Sequence, residues 1–173
     1  MRPVPVILLL ACALSSTAWA EPVWRDTKSA EGRFSAKFPG TPQQATKPMR
    51  TALGNLQARL FLLEAPGQPF YAVAYVDYPK DRIAGKKPDE LLDGARDSAV
   101  ANIGGKLASE QKITLAGFPG RELRVEKIRG DMILVCRLYL ADERLYQALV
   151  VMPRAKESPE LVQPFLDGFV LVK

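Results

Sequence analysis

The stretch MILVCRLYLADERLYQALVVM, from Met132 to Met152, decides the fold. Each half is a run of β-branched, aromatic and aliphatic residues of strand type, and Asp142-Glu143 between them reads as a tight turn. Closed on that turn, the hairpin sets Cys136 opposite Leu149 and Leu134 opposite Val151. Upstream, Arg121 to Ile128 turns at Gly130-Asp131 into the same run. With those two as the turn pair, Arg129 faces Met132, Leu123 faces Leu138 and Val125 faces Cys136. One sheet face is then a continuous apolar field. The other carries Val135, Val150, Tyr139 and Tyr146, together with Glu122, Arg124, Glu126 and Arg137. A middle strand that is apolar on both faces requires cover on both sides.

Further strands flank this core. Leu107 to Leu115 leads into Ala116-Gly117-Phe118-Pro119-Gly120, and Phe70 to Tyr78 is rich in aromatic and β-branched residues. Met49 to Leu53 and Leu56 to Glu64 flank Gly54-Asn55, a two-residue hairpin signal. Arg33 to Phe38 alternates around Phe34, Ala36 and Phe38, and Pro39-Gly40-Thr41-Pro42 stops it. Val23 to Ala30 reads as an arm anchored by Trp24, and Pro79 to Lys87 as a loop. Pro88 opens a helix with Asp89 and Glu90 in its first turn. Leu92, Ala95, Ala99 and Ile103 recur along it, and Gly104-Gly105 ends it. A short helix follows the last hairpin, capped by Ser158, opened by Pro159 and stopped at Gly168. Its apolar side is Leu161, Val162, Phe165 and Leu166, and Pro164 should kink or restart it. The reading is an α+β fold, an antiparallel hairpin-rich sheet covered by helices on both faces. No repeat and no long linker divides it, so residues 21–173 form one domain.

Residues 1–20 read as an address. Arg2 precedes the apolar run Val6 to Leu14, and Ala18-Trp19-Ala20 is a small-x-small cleavage site. The expectation is a signal peptide cleaved after Ala20 and a periplasmic or secreted product. Leu9-Leu10-Ala11-Cys12 offers the alternative of a lipid anchor at Cys12. No stretch reaches the ~18 apolar residues of a membrane-spanning helix. Of the two cysteines, only Cys136 remains after cleavage. It lies in an apolar run and reads as a buried, inert thiol.

Composition narrows the chemistry. The 173 residues are 47% hydrophobic and 25% charged, which suits a folded domain rather than a disordered chain. There is no histidine, which removes Ser-His and Cys-His nucleophiles, His general bases and His-ligated zinc.

Glu31-Gly32-Arg33-Phe34-Ser35-Ala36-Lys37-Phe38-Pro39-Gly40-Thr41-Pro42 resembles the opening strand of PsbP-like and DcrB-like proteins. Gly117-Phe118-Pro119-Gly120-Arg121-Glu122, Arg144-Leu145-Tyr146-Gln147-Ala148 and Phe165-Leu166-Asp167-Gly168-Phe169 resemble their later landmarks. The likeness spans nearly the whole chain after residue 20 and rests on turn and core motifs. It implies an antiparallel sheet between helices. It also implies a mostly non-enzymatic family, whose members include an extrinsic photosystem subunit, a nuclear-import factor, bacterial envelope proteins and chaperones of secreted toxins. No ligand-contacting residue carries over.

Each chemical candidate has a plainer reading beside it. Asp89, Asp93 and Asp97 make an acidic helix stripe, suited to a hard cation or simply to solvent. Ser109-Glu110-Gln111-Lys112 matches Ser-x-x-Lys but precedes a strand, and its companion motifs are absent. Arg129-Gly130-Asp131 matches an adhesive tripeptide, yet a hairpin tip needs such residues anyway. Lys80, Arg82, Lys86 and Lys87 crowd one loop, and with the net charge of +5 they could form a partner surface. Arg137, with Glu122, Glu126 and Arg124, should form a polar network, Arg137 lying diagonal to the two glutamates. The five tyrosines lie on strands. No catalytic, metal or cofactor set is read, and nucleic acid is not expected as a partner. The expected function is a non-enzymatic exported envelope protein, an accessory or protein-binding module with a protein partner in the envelope. The alternatives are a periplasmic inhibitor or immunity-type protein, a small-ligand or lipid carrier, and an enzyme using carboxylates or a Ser-Lys pair.

Overall fold

The computed structural model describes residues 22–172. The signal-peptide and Cys12 readings lie outside them. No described helix is long and apolar enough to cross a membrane.

The hairpin that decides the fold forms as expected. Strands β8 (Met132–Ala141) and β9 (Arg144–Pro153) pair with Cys136 opposite Leu149 and Leu134 opposite Val151. Asp142 takes a positive φ of 54° in the turn. On one side of this pair lie β7 (Phe118–Ile128) and then β6 (Lys106–Leu115). On the other lie β5 (Phe70–Asp77), β4 (Gly54–Leu63) and β3 (Gln43–Thr51). All seven strands pair antiparallel, in the order β3-β4-β5-β9-β8-β7-β6.

The two faces are covered differently. On one face α2 (Pro88–Ile103) sets Leu91, Leu92 and Ala95 into a core with Leu123, Val125, Leu134, Cys136 and Leu138. On the other, β2 (Phe34–Phe38) carries Phe34, Ala36 and Phe38 down onto Tyr71, Val73, Tyr146, Ala148 and Val150. β2 is the centre of a second sheet, between β1 (Arg25–Ser29) and β10 (Val170–Leu171). Helix α3 (Pro159–Asp167) adds Val162, Phe165 and Leu166 to the same layer. The second cover is thus a small sheet and a helix together. The Tyr146 hydroxyl donates to the Gly32 carbonyl at 2.8 Å, and Phe34 meets Phe61 edge-to-face at 5.1 Å, so the small sheet is pinned to the large one.

Six local readings need correction. The β7–β8 register is displaced by two residues: Leu123 faces Cys136, Val125 faces Leu134 and Glu122 faces Arg137. An irregularity between Val125 and Ile128, with Lys127 at φ 55°, and a three-residue tip produce the offset. An even displacement keeps every side chain on its expected face. The β3–β4 turn is Ala52-Leu53, not Gly54-Asn55, because Thr51 pairs with Gly54 and its hydroxyl donates to the Gly54 carbonyl at 2.8 Å. β3 also starts six residues earlier than Met49. Its polar first half shows no alternation, and Pro48 is tolerated because β3 is an edge strand. The arm is strand β1, with Trp24 packed edge-to-face on Tyr71 at 5.8 Å. The Pro79–Lys87 loop contains one helical turn, α1 (Lys80–Ile83). Helix α3 remains helical through Pro164.

Gly120 faces Tyr139 across β7 and β8. A Cβ there would lie 2.4 Å from the Leu138 carbonyl oxygen and 2.6 Å from the Tyr139 ring, which stacks on Phe169. Gly120→Ala should therefore cost about 1–3 kcal/mol in urea unfolding, as overpacking does. An unchanged unfolding midpoint would contradict this packing.

Candidate functional site

Strand β7 alternates Arg121, Leu123 and Val125 toward α2 with Glu122, Arg124 and Glu126 toward the opposite face. Next to α3 that opposite face forms an open groove of about 690 Å³. Ser109, Gln111, Glu122 and Arg124 come from the sheet and Val135 lies among them. Glu157, Ser158, Val162 and Gln163 form the far wall.

The four residues of the expected polar network all belong to this face, but they form two sets. Arg137 donates from Nε to Glu122 at 2.7 Å and from Nη1 to Asp167 of α3 at 2.7 Å. Arg124 donates from Nε to Glu126 at 2.8 Å and from Nη2 to Glu157 at 2.8 Å, with a second, very short contact from Nη1 to Glu157. Arg154 reaches Glu126 at 3.0 Å and Asp131 at 3.3 Å. The expected diagonal contact from Arg137 to both glutamates is thus replaced by a direct one to Glu122. The register displacement puts those two residues opposite each other and leaves Glu126 to Arg124. Hydrogen bonds from Arg154 and then Arg124 hold the Glu126 carboxyl down at about 2. Arg124 likewise holds Glu157 below its ordinary value. Burial works against the charge on Arg137, but the bonds from Glu122 and Asp167 leave its pKa raised overall. Both sets tie the sheet to the chain around α3.

No family model and no curated protein matches the chain. Among solved structures, that of cyanobacterial PsbP (CyanoP) from Synechocystis sp. PCC 6803 aligns over 94% of this chain and 98% of its own, with a TM-score of 0.53 and 12% identity. The fold is PsbP-like. A protein of unknown function from Pseudomonas aeruginosa, PA94, aligns over 76% of this chain and 84% of its own at 13% identity, with a TM-score of 0.42.

A charge that sequence reasoning missed sits under the other face of the PsbP-like sheet. The Arg121 side chain is only 3% exposed, and it meets Asp89 at 2.5 Å, Glu110 at 3.0 Å and Asp93 at 3.5 Å. Arg96 binds Asp93, Asp97 and Glu110, and Lys112 binds Asp89 at 3.0 Å. The acidic stripe of α2 is therefore neither a cation site nor a purely solvated face: it is the counter-charge for Arg121, Arg96 and Lys112. Two signals could have found it. The alternation of β7 sets Arg121 on the apolar face, and a charge there needs partners.

The remaining candidates separate. Ser109 lines the groove while Lys112 reaches α2 on the opposite face, so the Ser-x-x-Lys residues do not meet. Lys80 bridges to Glu143 at 3.1 Å, and Arg82 donates to the Leu53 carbonyl at 2.7 Å. Lys86 and Lys87 are exposed, so the basic loop is half tied into neighbouring turns. Arg129-Gly130-Asp131 is the β7–β8 tip, with Asp131 bound to Arg154. All five tyrosines are buried. Cys136 is buried completely, which pushes its thiol up to about 12.

Glu126 gives a signed pH test. Its folded value of about 2 lies below its ordinary 4.5, so its stabilising effect is complete above 4.5 and is lost as pH falls toward 2. The urea midpoint should drop over that window, and less in Glu126→Gln. Equal pH dependence in the two proteins would contradict the network.

Proposed function

We propose that this protein is a non-catalytic, exported binding module of the cell envelope that takes a partner polypeptide in the groove between β6–β7 and α3. The carrying observation is the groove itself. Its lining mixes hydroxyl and amide groups (Ser109, Gln111, Ser158, Gln163) with arginines and glutamates already bound to one another. Charges neutralised in this way present a fixed polar surface, suited to recognition rather than to proton or group transfer. The wall is one short helix and the base is a rigid sheet, so the surface is preorganised. The address-like residues 1–20 and the motifs that resemble those of DcrB-like envelope proteins support the compartment.

A second reading has its own observation. A trough of about 900 Å³ opens between β3–β4 and β8–β9, with Leu62, Leu63, Phe70, Met132 and Val151 along it and Lys47 and Glu64 among its polar residues. A carrier of a small amphiphile would use that trough.

One experiment separates the readings. A photo-crosslinking side chain is placed at Gln163 in the groove or at Gln68 beside the trough, and the adducts formed in the native envelope are weighed by mass spectrometry. The binding module predicts one dominant protein adduct from Gln163 and none from Gln68. A lipid-sized adduct confined to Gln68 supports the carrier instead. Protein adducts of equal yield from both positions would overturn the groove assignment.

A further inference from the structure

Among the described residues, the large sheet ends in two edge strands that differ in kind. β3 carries Pro48 in its middle, which removes a backbone donor. β6 has no proline, pairs only with β7 among the described residues, and has seven of its ten residues exposed. Its ladder to β7 closes on the two-residue turn Ala116-Gly117, with Leu115 opposite Phe118. In such a ladder the closing pair exchange their backbone bonds, and so does every second pair after it. Ser109, Gln111, Ile113 and Leu115 therefore bond inward to β7. Glu110, Lys112 and Thr114 direct their N–H and C=O groups outward, as an open template for another strand.

The side chains select that strand. Glu110 and Lys112 are of opposite charge, two residues apart, on the α2 face. A two-fold antiparallel pairing of this edge with itself must match outward residues with outward residues, which restricts the axis to a residue rather than a gap between residues. An axis at Glu110 sets that glutamate against itself, and one at Lys112 sets the lysine against itself. An axis at Gln111 sets Glu110 against Lys112 twice. Opposite charges directly across a sheet stabilise it, and like charges destabilise it. The four carboxylates of Asp89, Asp93, Asp97 and Glu110 face the three cations Arg96, Arg121 and Lys112, so the incoming lysine meets a net negative field.

We infer that the protein forms a two-fold dimer through antiparallel pairing of β6 with β6 of a second copy, with Gln111 on the axis and Glu110 opposite Lys112 of the other copy. The two seven-stranded sheets become one. The irregularity between Leu107 and Ser109 ends the paired segment. Because the axis stands perpendicular to the sheet, both grooves lie on the same side, next to each other. The dimer does not depend on what the groove binds.

The test uses the full chain with Cys12→Ser, which leaves the sealed Cys136 as the only native thiol. Gln111 on the axis makes a non-hydrogen-bonded pair with its copy, with Cα atoms about 4.5 Å apart, within reach of a disulfide. Gln111→Cys should give a covalent dimer on mild oxidation, and Gln44→Cys on the β3 edge should not. Sedimentation equilibrium should show the parent mass rising toward twice the monomer with concentration. Lys112→Glu should weaken self-association by about tenfold or more. Lys112→Pro, which removes an outward N–H inside the paired segment together with the charge, should do the same with an unchanged circular dichroism spectrum, and Lys112→Arg should retain the dimer. A parent that stays monomeric across the series, or oxidation of Gln111→Cys no faster than that of Gln44→Cys, would overturn the inference.

Discussion

Strands β8 and β9 are apolar on both faces, and neither face can be left to water. Toward α2, β8 presents Leu134, Cys136, Leu138 and Leu140. Toward the small sheet it presents Ile133, Tyr139 and Ala141. Each large side chain fully buried there contributes about 1.5–3 kcal/mol. A single cover would forfeit half of that and expose an apolar face. The rest of the chain is arranged around this requirement. α2, inserted between β5 and β6, seals one side. β1 and β2 from the start of the described chain, and α3 and β10 from its end, seal the other. The two ends of the described chain therefore meet in one three-stranded sheet.

Charge enters this double core only where it is answered. Arg121 under α2, Arg137 and Arg124 under α3, and Arg144 over the Tyr75 ring are each held by carboxylates. Removing one partner of such a pair leaves an uncompensated charge, at a cost of about 3–5 kcal/mol where burial is deep. The direction of Glu126 and Glu157 is the same: Glu126 is held ionised by Arg154 and by Arg124 of its own strand, and Glu157 by Arg124 reaching across from β7. The pairs of Arg121, Arg124 and Arg137 act as fasteners between the covers and the sheet, while Arg144–Asp77 joins β9 to β5. This also makes them poor candidates for acid–base work, because groups locked ionised have no proton to exchange near neutral pH.

The sequence displayed the double-sided burial of β8 and β9, the α2 caps and the β8–β9 register, because each rests on local chemistry: runs of apolar residues, a proline at the helix start, a two-residue turn. The β7–β8 register was not legible, since an irregularity near Lys127 leaves no composition signal. The faces were legible all the same, since alternation survives an even displacement. β1 escaped notice because Arg25 to Ser29 is polar and half-exposed, and its pairing with β2 is decided by tertiary contact. Of the polar network beside the groove, Glu122, Arg124, Glu126 and Arg137 could be named from alternation. Glu157, Asp167 and Arg154 come from the far end of the chain, and no spacing rule reaches them. The acidic stripe of α2 and Arg121 were both visible in sequence, and only the fold joins them.

The fold and the proposed function connect through rigidity. A sheet clamped from both sides holds its exposed edge strand β6 and the neighbouring β7 in a fixed shape beside α3, as the proposed recognition surface requires. Residue-resolved hydrogen exchange in the native protein measures that clamp directly. The amides of β5, β8 and β9 should exchange last, only when the whole domain unfolds, with those of β3 and β1 exchanging well before them. If β8 and β9 exchange as fast as the edge strand β3, the sheet is not buried on both faces and the account fails.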